Sequence, residues 1–333
     1  MSERLIPNSK NLELCKAELE NSQVLAVPTE TVFGLAANAL DPSAVKKIFK
    51  IKERPLIDPL ILHTASIEKA NLYCHINPLS KKLASHFWPG PLTMVLPKKS
   101  VVPDIVTANL KSVAIRCPNH PTLRKLLRIL PFPLAAPSAN PFGYISPTKA
   151  EHVEDSLGSK VKYILDGAPC KIGIESTIVD IRDASNPKIL RPGPITKCML
   201  ETASQISFKN IQESKLDEGL LGPGLLDNHY SPKTSLELIS KSKLISSLDA
   251  NINPRTAYLF HTKPTIFSEL IQQEKEKVFW LSENGKIEII AKNLYDQLRE
   301  IDKMEYKKIL VENFETNEGF KSALIDRLKK AAD

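Results

Sequence analysis

Asp41–His63, DPSAVKKIFKIKERPLIDPLILH, runs from a helix through a charged turn into a short strand, and its reading sets the fold class. Asp41 followed by Pro42 has the form of an N-cap with proline at the first helical position. Ala44, Val45, Ile48 and Phe49 recur at helical spacing and define an inward face. Leu60–Leu62 is a brief apolar run ending on His63, as in a buried strand. Between the two elements, Lys52 and Arg54 stand two residues apart ahead of Pro55. Residues at i and i+2 share a face of an extended chain, and a following proline disfavours helix at Arg54. The pair is therefore expected on an extended turn, both cations pointing one way. Such a pair suits a polyanion such as a nucleotide triphosphate; solvated surface charge is the alternative.

The same alternation continues outward. Val24–Val27 reads as a buried strand after a polar helix at Asn11–Glu20. Leu79–Phe87 and Pro121–Leu130 read as helices, and Val113–Arg116, Leu134–Ala136, Tyr163–Leu165, Thr177–Ile181 and Ile189–Arg191 as short strands. Thr148 with Glu151 three residues on has the form of a capping box. Interleaved short strands and helices predict an α/β domain with a twisted sheet covered by helices. Residues 199–234 are polar, contain GPG and show no period, so they read as a linker. Beyond it, strands at Thr256–Phe260, Val278–Leu281 and Lys307–Val311 alternate with helices at Ile287–Ile301 and Gly319–Ala332. That pattern predicts a small Rossmann-like α/β domain, without the G-x-G-x-x-G of a dinucleotide site.

The 333 residues suffice for two domains with cores, and the apolar and charged fractions, 42% and 25%, are those of an ordinary globular protein. There is no apolar run long enough to span a membrane, and the first twenty residues lack a signal core. Five dispersed cysteines without a C-x-x-C pair suit reduced thiols, so a cytoplasmic protein is expected. Residues 1–200 hold 26 lysines and arginines against 17 acids, and residues 201–333 hold 19 against 21. The basic surplus makes the first domain the expected handler of phosphates, or of RNA as a non-catalytic binding module.

P-loop, H-E-x-x-H, G-x-S-x-G and kinase signatures are absent, and the seven histidines never fall at metal-ligand spacing. No protein-held metal is expected; magnesium would arrive on the triphosphate with most of its water shell. What remains is a set of hydroxyl- and proline-rich strand-end loops: PTET (28–31), KERP (52–55), PSAN (137–140), ISPT (145–148), ESTI (175–178) and LRPG (190–193). Loops at strand ends are where α/β sheets hold phosphates and small polar ligands, although the same residues also make ordinary turns.

These loops also carry a resemblance. PTETVFGLAANA, KERPLIDPL, WPGPLTMVL, VAIRCP, APSANPFGYISPT, GIESTIVDI and LRPGPIT occur in the order seen in threonylcarbamoyl-AMP synthases, over about residues 20–200. Lys52, Arg54, Ser138 and Asn140 match that family's K-x-R and S-x-N signature. HYSP at 229–232 and the C-terminal segments resemble the long, two-domain form. The resemblance implies a YrdC-like domain over 1–203, a linker over 204–235 crossing the active site, and the Rossmann-like domain over 236–333. It implies a nucleotidyltransferase that condenses L-threonine, bicarbonate and ATP to threonylcarbamoyl-adenylate and pyrophosphate. The product serves downstream tRNA threonylcarbamoyl transferase machinery, with at most a weak tRNA contact by this chain and no membrane partner.

By the same resemblance, Thr31, His63, Arg116 and Ala136 with Ser176 or Thr177 would line a threonine pocket. Arg54, Asp58, Ser112, Ser138, Asn140, Ser146 and Arg191, with Tyr230 from the linker, would hold ATP, and Lys52 would complete the catalytic cation pair. A related class acting on carbamoyl phosphate would carry paired-cysteine zinc motifs, which this chain lacks. One position departs from the pattern: the family usually has asparagine where this chain has Asp58. A carboxylate facing a triphosphate needs compensation, so Asp58 is expected either to recruit magnesium or to turn away and stabilise Arg54.

Overall fold

The computed structural model describes residues 2–210, 230–250 and 253–332, so the 211–229 part of the linker lies outside the described residues. The first compact unit gathers the chain up to Phe142 with Ser146–Lys171 and the stretch from Glu175; the second gathers Gly143–Ile145, Ile172–Ile174 and the described residues from Tyr230.

The first unit is built on one mixed sheet. Its strands are β1 (Glu3–Leu5), β2 (Leu25–Val27), β3 (Gly34–Asn38), β4 (Ile61–His63), β5 (Leu92–Pro97), β6 (Ser112–Arg116), β7 (Leu134–Ala135), β8 (Tyr163–Leu165), β9 (Thr177–Asp180), β10 (Lys188–Arg191) and β11 (Lys209–Asn210). They lie in the order β1-β8-β2-β3-β7-β4-β6-β5-β9-β10-β11. Most are three to five residues long and buried, so each reads in sequence as a bare apolar run rather than an alternation. β1, β3 and β11 carry too little pattern to be predicted. The helix Pro42–Lys52 starts as expected, Asp41 accepting from the Ser43 N–H at 2.8 Å. The helix Pro78–Phe87 has a true capping box between Asn77 and Ser80.

The capping box expected at Thr148 does not form. The helix starts at Ala150 after Lys149, which makes no side-chain cap, and the Thr148 N–H instead donates to His152 Nδ1 at 3.2 Å. Thr148 stands one residue too early to reach the first turn. Part of the segment read as linker is regular: Lys197–Ser204 is a helix capped by Thr196, and β11 pairs parallel to β10.

In the second unit, β12 (Ser235–Ile239), β13 (Thr256–Thr262), β14 (Val278–Ser282) and β15 (Lys308–Glu312) form an all-parallel sheet in the order β12-β15-β13-β14. The helices Lys241–Ala250 and Ile287–Lys303 and the short helical segments Thr265–Ser268 and Gln272–Lys275 lie between successive strands, as a parallel sheet requires, and Lys321–Ala331 follows the last one. A small parallel α/β domain of this kind is consistent with the expectation from sequence. Gly173 belongs here: its φ of +86° is left-handed, and a side chain would strike the backbone of Ala291 and Lys292.

The first unit's core includes Leu62, fully buried at the centre of β4, one residue before His63. Leu62→Ala is expected to destabilise that unit by about 2–5 kcal/mol, read as a lower denaturation midpoint.

Candidate active site

The helix Pro42–Lys52 ends on Lys52, and Glu53 closes it in the left-handed conformation, φ 56°, donating its N–H to the Lys50 and Phe49 carbonyls. The two cations therefore do not share an extended turn. A helix C-cap separates them, and it redirects the chain between them. Nor are they solvated, since Lys52 is 1% and Arg54 6% exposed. Lys52 Nζ donates to the carbonyls of Ser138 and Asn140, each at 2.6 Å, which ties the helix end to the PSAN loop. Burial, reinforced by Arg54, pushes its ammonium well below the ordinary lysine range.

Arg54 donates from Nε to the Asp58 carbonyl (3.1 Å) and from Nη2 to the Pro59 carbonyl (2.9 Å), and pairs with Asp58 Oδ1 at 2.7 Å. Asp58 is fully buried. Burial raises its carboxyl above the ordinary range, opposed by Arg54, Lys52 and Arg191. This pairing is the arrangement of a carboxylate that stabilises the arginine.

Three strand ends converge on a second group of side chains. In the sheet register His63 stands opposite Arg116, and Arg116 opposite Thr93. Arg116 donates to Thr31 Oγ1 (3.0 Å) and to the Gly90 carbonyl (3.2 Å), and its Nη2 lies 2.8 Å from Glu30 Oε1. His63, with Nδ1 3.2 Å from the Ile61 carbonyl, is driven from the ordinary 6.5 down to about 3 by burial and by Arg116, and so is neutral. Ala136 joins the group through its N–H, bonded to the Ile61 carbonyl at 3.2 Å.

Ser176 joins Thr93 to Arg191. Its hydroxyl lies 2.8 Å from Thr93 Oγ1, and Arg191 Nη2 donates to its carbonyl and its hydroxyl at 3.0 and 3.2 Å. Thr177 differs: its hydroxyl donates to the Ile195 carbonyl and accepts from the Ile195 N–H, at 2.8 and 2.9 Å. That bracing pins the LRPG loop. Gly193 packs against the Ser176–Thr177 backbone, where a Cβ would collide. Ser146 donates to Glu175 Oε1 at 2.6 Å, both buried. Ser138 bridges Gly34, and Asn140 is fully buried.

One expected residue of the first unit lies apart from these groups. Ser112 opens β6 opposite Pro97, at the other end of that strand from Arg116. Tyr230 belongs to the second unit, buried with its ring 5.8 Å from that of Tyr295 and the Arg327 guanidinium 5.2 Å from its ring centre. Sequence reasoning did not single out Glu30, Thr93 or Glu175. Each sits inside a quoted motif, and an acid set among hydroxyls beside a buried strand was the available signal for two of them.

The two halves of the chain match separate families: residues 17–193 one described as "Telomere recombination", and residues 195–333 "Threonylcarbamoyl-AMP synthase, C-terminal domain". The threonylcarbamoyl-AMP synthase of Pyrococcus abyssi is 36% identical over 94% of this chain and 92% of its own length. That of Bacillus subtilis is 36% identical over 100% and 96%. The chain belongs to the threonylcarbamoyl-AMP synthase family. Among solved structures, P. abyssi Sua5 complexed with L-threonine is 33% identical with a TM-score of 0.86, over 100% of this chain and 97% of that one.

Because His63 refuses a proton in the fold until about pH 3 while the unfolded chain takes one near 6.5, its contribution to stability falls as pH drops through that window. At pH 5 the loss is about 2 kcal/mol. Urea midpoints measured from pH 7 to 4 are expected to fall less steeply for His63→Asn than for the unaltered chain. Gly193→Ala is expected to shift Ser176 and Thr177, reducing activity by about tenfold, read in the assay below.

Proposed function

We propose that the chain condenses L-threonine, bicarbonate and ATP into threonylcarbamoyl-adenylate and pyrophosphate. The observation that supports this best is a pair of buried polar groups: Arg116, in register with Thr93, whose hydroxyl meets Ser176 and through it Arg191, and the Lys52, Arg54 and Asp58 cluster. They provide a carboxylate-binding arginine and a buried cation cluster.

The chemistry needs both groups. Threonine's amine attacks the carbon of bicarbonate, water leaves, and the resulting carbamate oxygen attacks the α-phosphorus as pyrophosphate departs. The second step spreads negative charge over phosphoryl oxygens and requires in-line alignment more than a strong base. Lys52, Arg54 and Arg191 supply preorganised positive charge, each held by protein acceptors before substrate arrives. Arg116 takes the substrate carboxylate, and neutral His63 adds polarity without a second positive charge.

Magnesium enters this reading with the triphosphate. The Ser146–Glu175 pair is a hydroxyl and carboxylate of the hard-oxygen type that this ion accepts, whereas Asp58 is engaged by Arg54. Arriving with the triphosphate, the ion would offset phosphate charge while keeping most of its water shell. The product is a mixed anhydride prone to hydrolysis, so it calls for prompt transfer to the tRNA-modifying transferase. Among the described residues, no helix is long and apolar enough to cross a membrane.

Protein incubated with ATP, bicarbonate and each amino acid in turn is expected to release pyrophosphate only when threonine and bicarbonate are both present. Lys52→Met is expected to lower that rate by about 10²–10³-fold. Well-folded protein that releases none would refute the reading.

A further inference from the structure

Glu30 lies between two threonines in PTET, and its carboxylate is 4% exposed. Its direction is set by its neighbours. The Thr29 hydroxyl accepts from the N–H groups of Thr31 and Val32, at 3.0 and 3.1 Å, and donates to the Val32 carbonyl at 2.6 Å. Those three bonds use the one hydrogen and both lone pairs of Thr29, so its 2.8 Å contact with the Thr31 hydroxyl completes no further hydrogen bond. The Thr31 hydroxyl accepts from Arg116.

Arg116 has five N–H donors. One goes to Gly90, one to Thr31, and one faces Glu30. That leaves one on each terminal nitrogen, the pair a carboxylate takes as a fork. Glu30 cancels the charge of Arg116 as an ion pair, His63 is neutral, and neither Glu30 oxygen meets a hydrogen-bond donor among the described residues. The pocket thus offers a fork for an anion while carrying no net charge of its own.

We propose that Glu30 is a positioning and specificity-determining residue: paired with Arg116, it tunes the pocket to a zwitterionic amino acid and against a bare carboxylate. The inference rests on the threonine reading given above. A carboxylate that lacks an ammonium group gains the fork but meets the Glu30 field uncompensated, and a zwitterion satisfies both. A merely structural ion pair would affect folding and overall affinity without altering that choice.

The probes are L-threonine and its 2-hydroxy analogue, 2,3-dihydroxybutanoate, titrated into the full chain by calorimetry. The unaltered protein is expected to favour threonine by at least about tenfold. Glu30→Gln, which keeps the shape and removes the charge, should shrink that preference by about tenfold, while Glu30→Asp retains it with weaker binding of both ligands. The inference is overturned by an unaltered protein that binds the two equally, by a Gln variant with the original preference, or by an Asp variant that loses it. The Asp result decides the matter if the Gln variant does not fold. Failure of threonine to bind the unaltered protein at all, with no threonine-dependent pyrophosphate release, would instead reject the underlying functional reading.

Discussion

A buried ammonium with two carbonyl acceptors organises the first domain. Lys52 closes the helix Pro42–Lys52, and its Nζ holds Ser138 and Asn140 while its own carbonyl accepts from the Phe142 N–H at 2.8 Å. An uncompensated charge at that depth would cost several kcal/mol, so the PSAN loop must stay where its carbonyls meet the cation. The negative end of the helix dipole favours the same charge. The loop that leaves β7 is thereby fixed to the helix that follows β3, although the two are far apart in sequence. Replacing Lys52 by a smaller cation-free side chain would release both.

The electrostatics of the cluster follow from this anchoring. Arg54, Arg116 and Arg191 each donate to main-chain carbonyls of their own loops or neighbours, so their forks are aimed before a ligand arrives. Preorganisation of this kind lowers the reorganisation needed as charge develops. Acids moderate it: Asp58 sits on Arg54 and Glu30 on Arg116. Concentrated positive charge in a dry interior would destabilise the fold, and two carboxylates reduce it at the points of closest packing.

Composition and periodicity made the α/β class legible, and ordered motifs made the family legible. The helix at Pro42–Lys52 and the strand before His63 could be read because Asp41-Pro42 and the apolar runs are local signals. The turn between them could not. Glu53 adopts a left-handed conformation that nothing in KERP requires, and tertiary packing of Lys52 enforces it. Strand order was also hidden, because β7 comes between β3 and β4 and so separates strands that are consecutive in sequence. Thr148 shows the opposite failure, a local signal without the geometry to use it.

The same distinction separates two adjacent hydroxyls that sequence left equivalent. Thr177 both donates to and accepts from Ile195, so its capacity is committed to the LRPG loop. Ser176 accepts from Arg191 and faces Thr93 across 2.8 Å. The Ser176 and Thr93 hydroxyls hold two hydrogens between them, and only one is needed for their mutual bond. The other remains for a ligand hydroxyl. A β-hydroxy amino acid completes that arrangement, whereas valine, of nearly the same shape, would leave a buried donor unmet. Such an unmet donor discriminates more sharply than a missing methyl group does. In the proposed reading, a ligand hydroxyl would be recognised where β5 pairs with the start of β9, which the sheet holds in register.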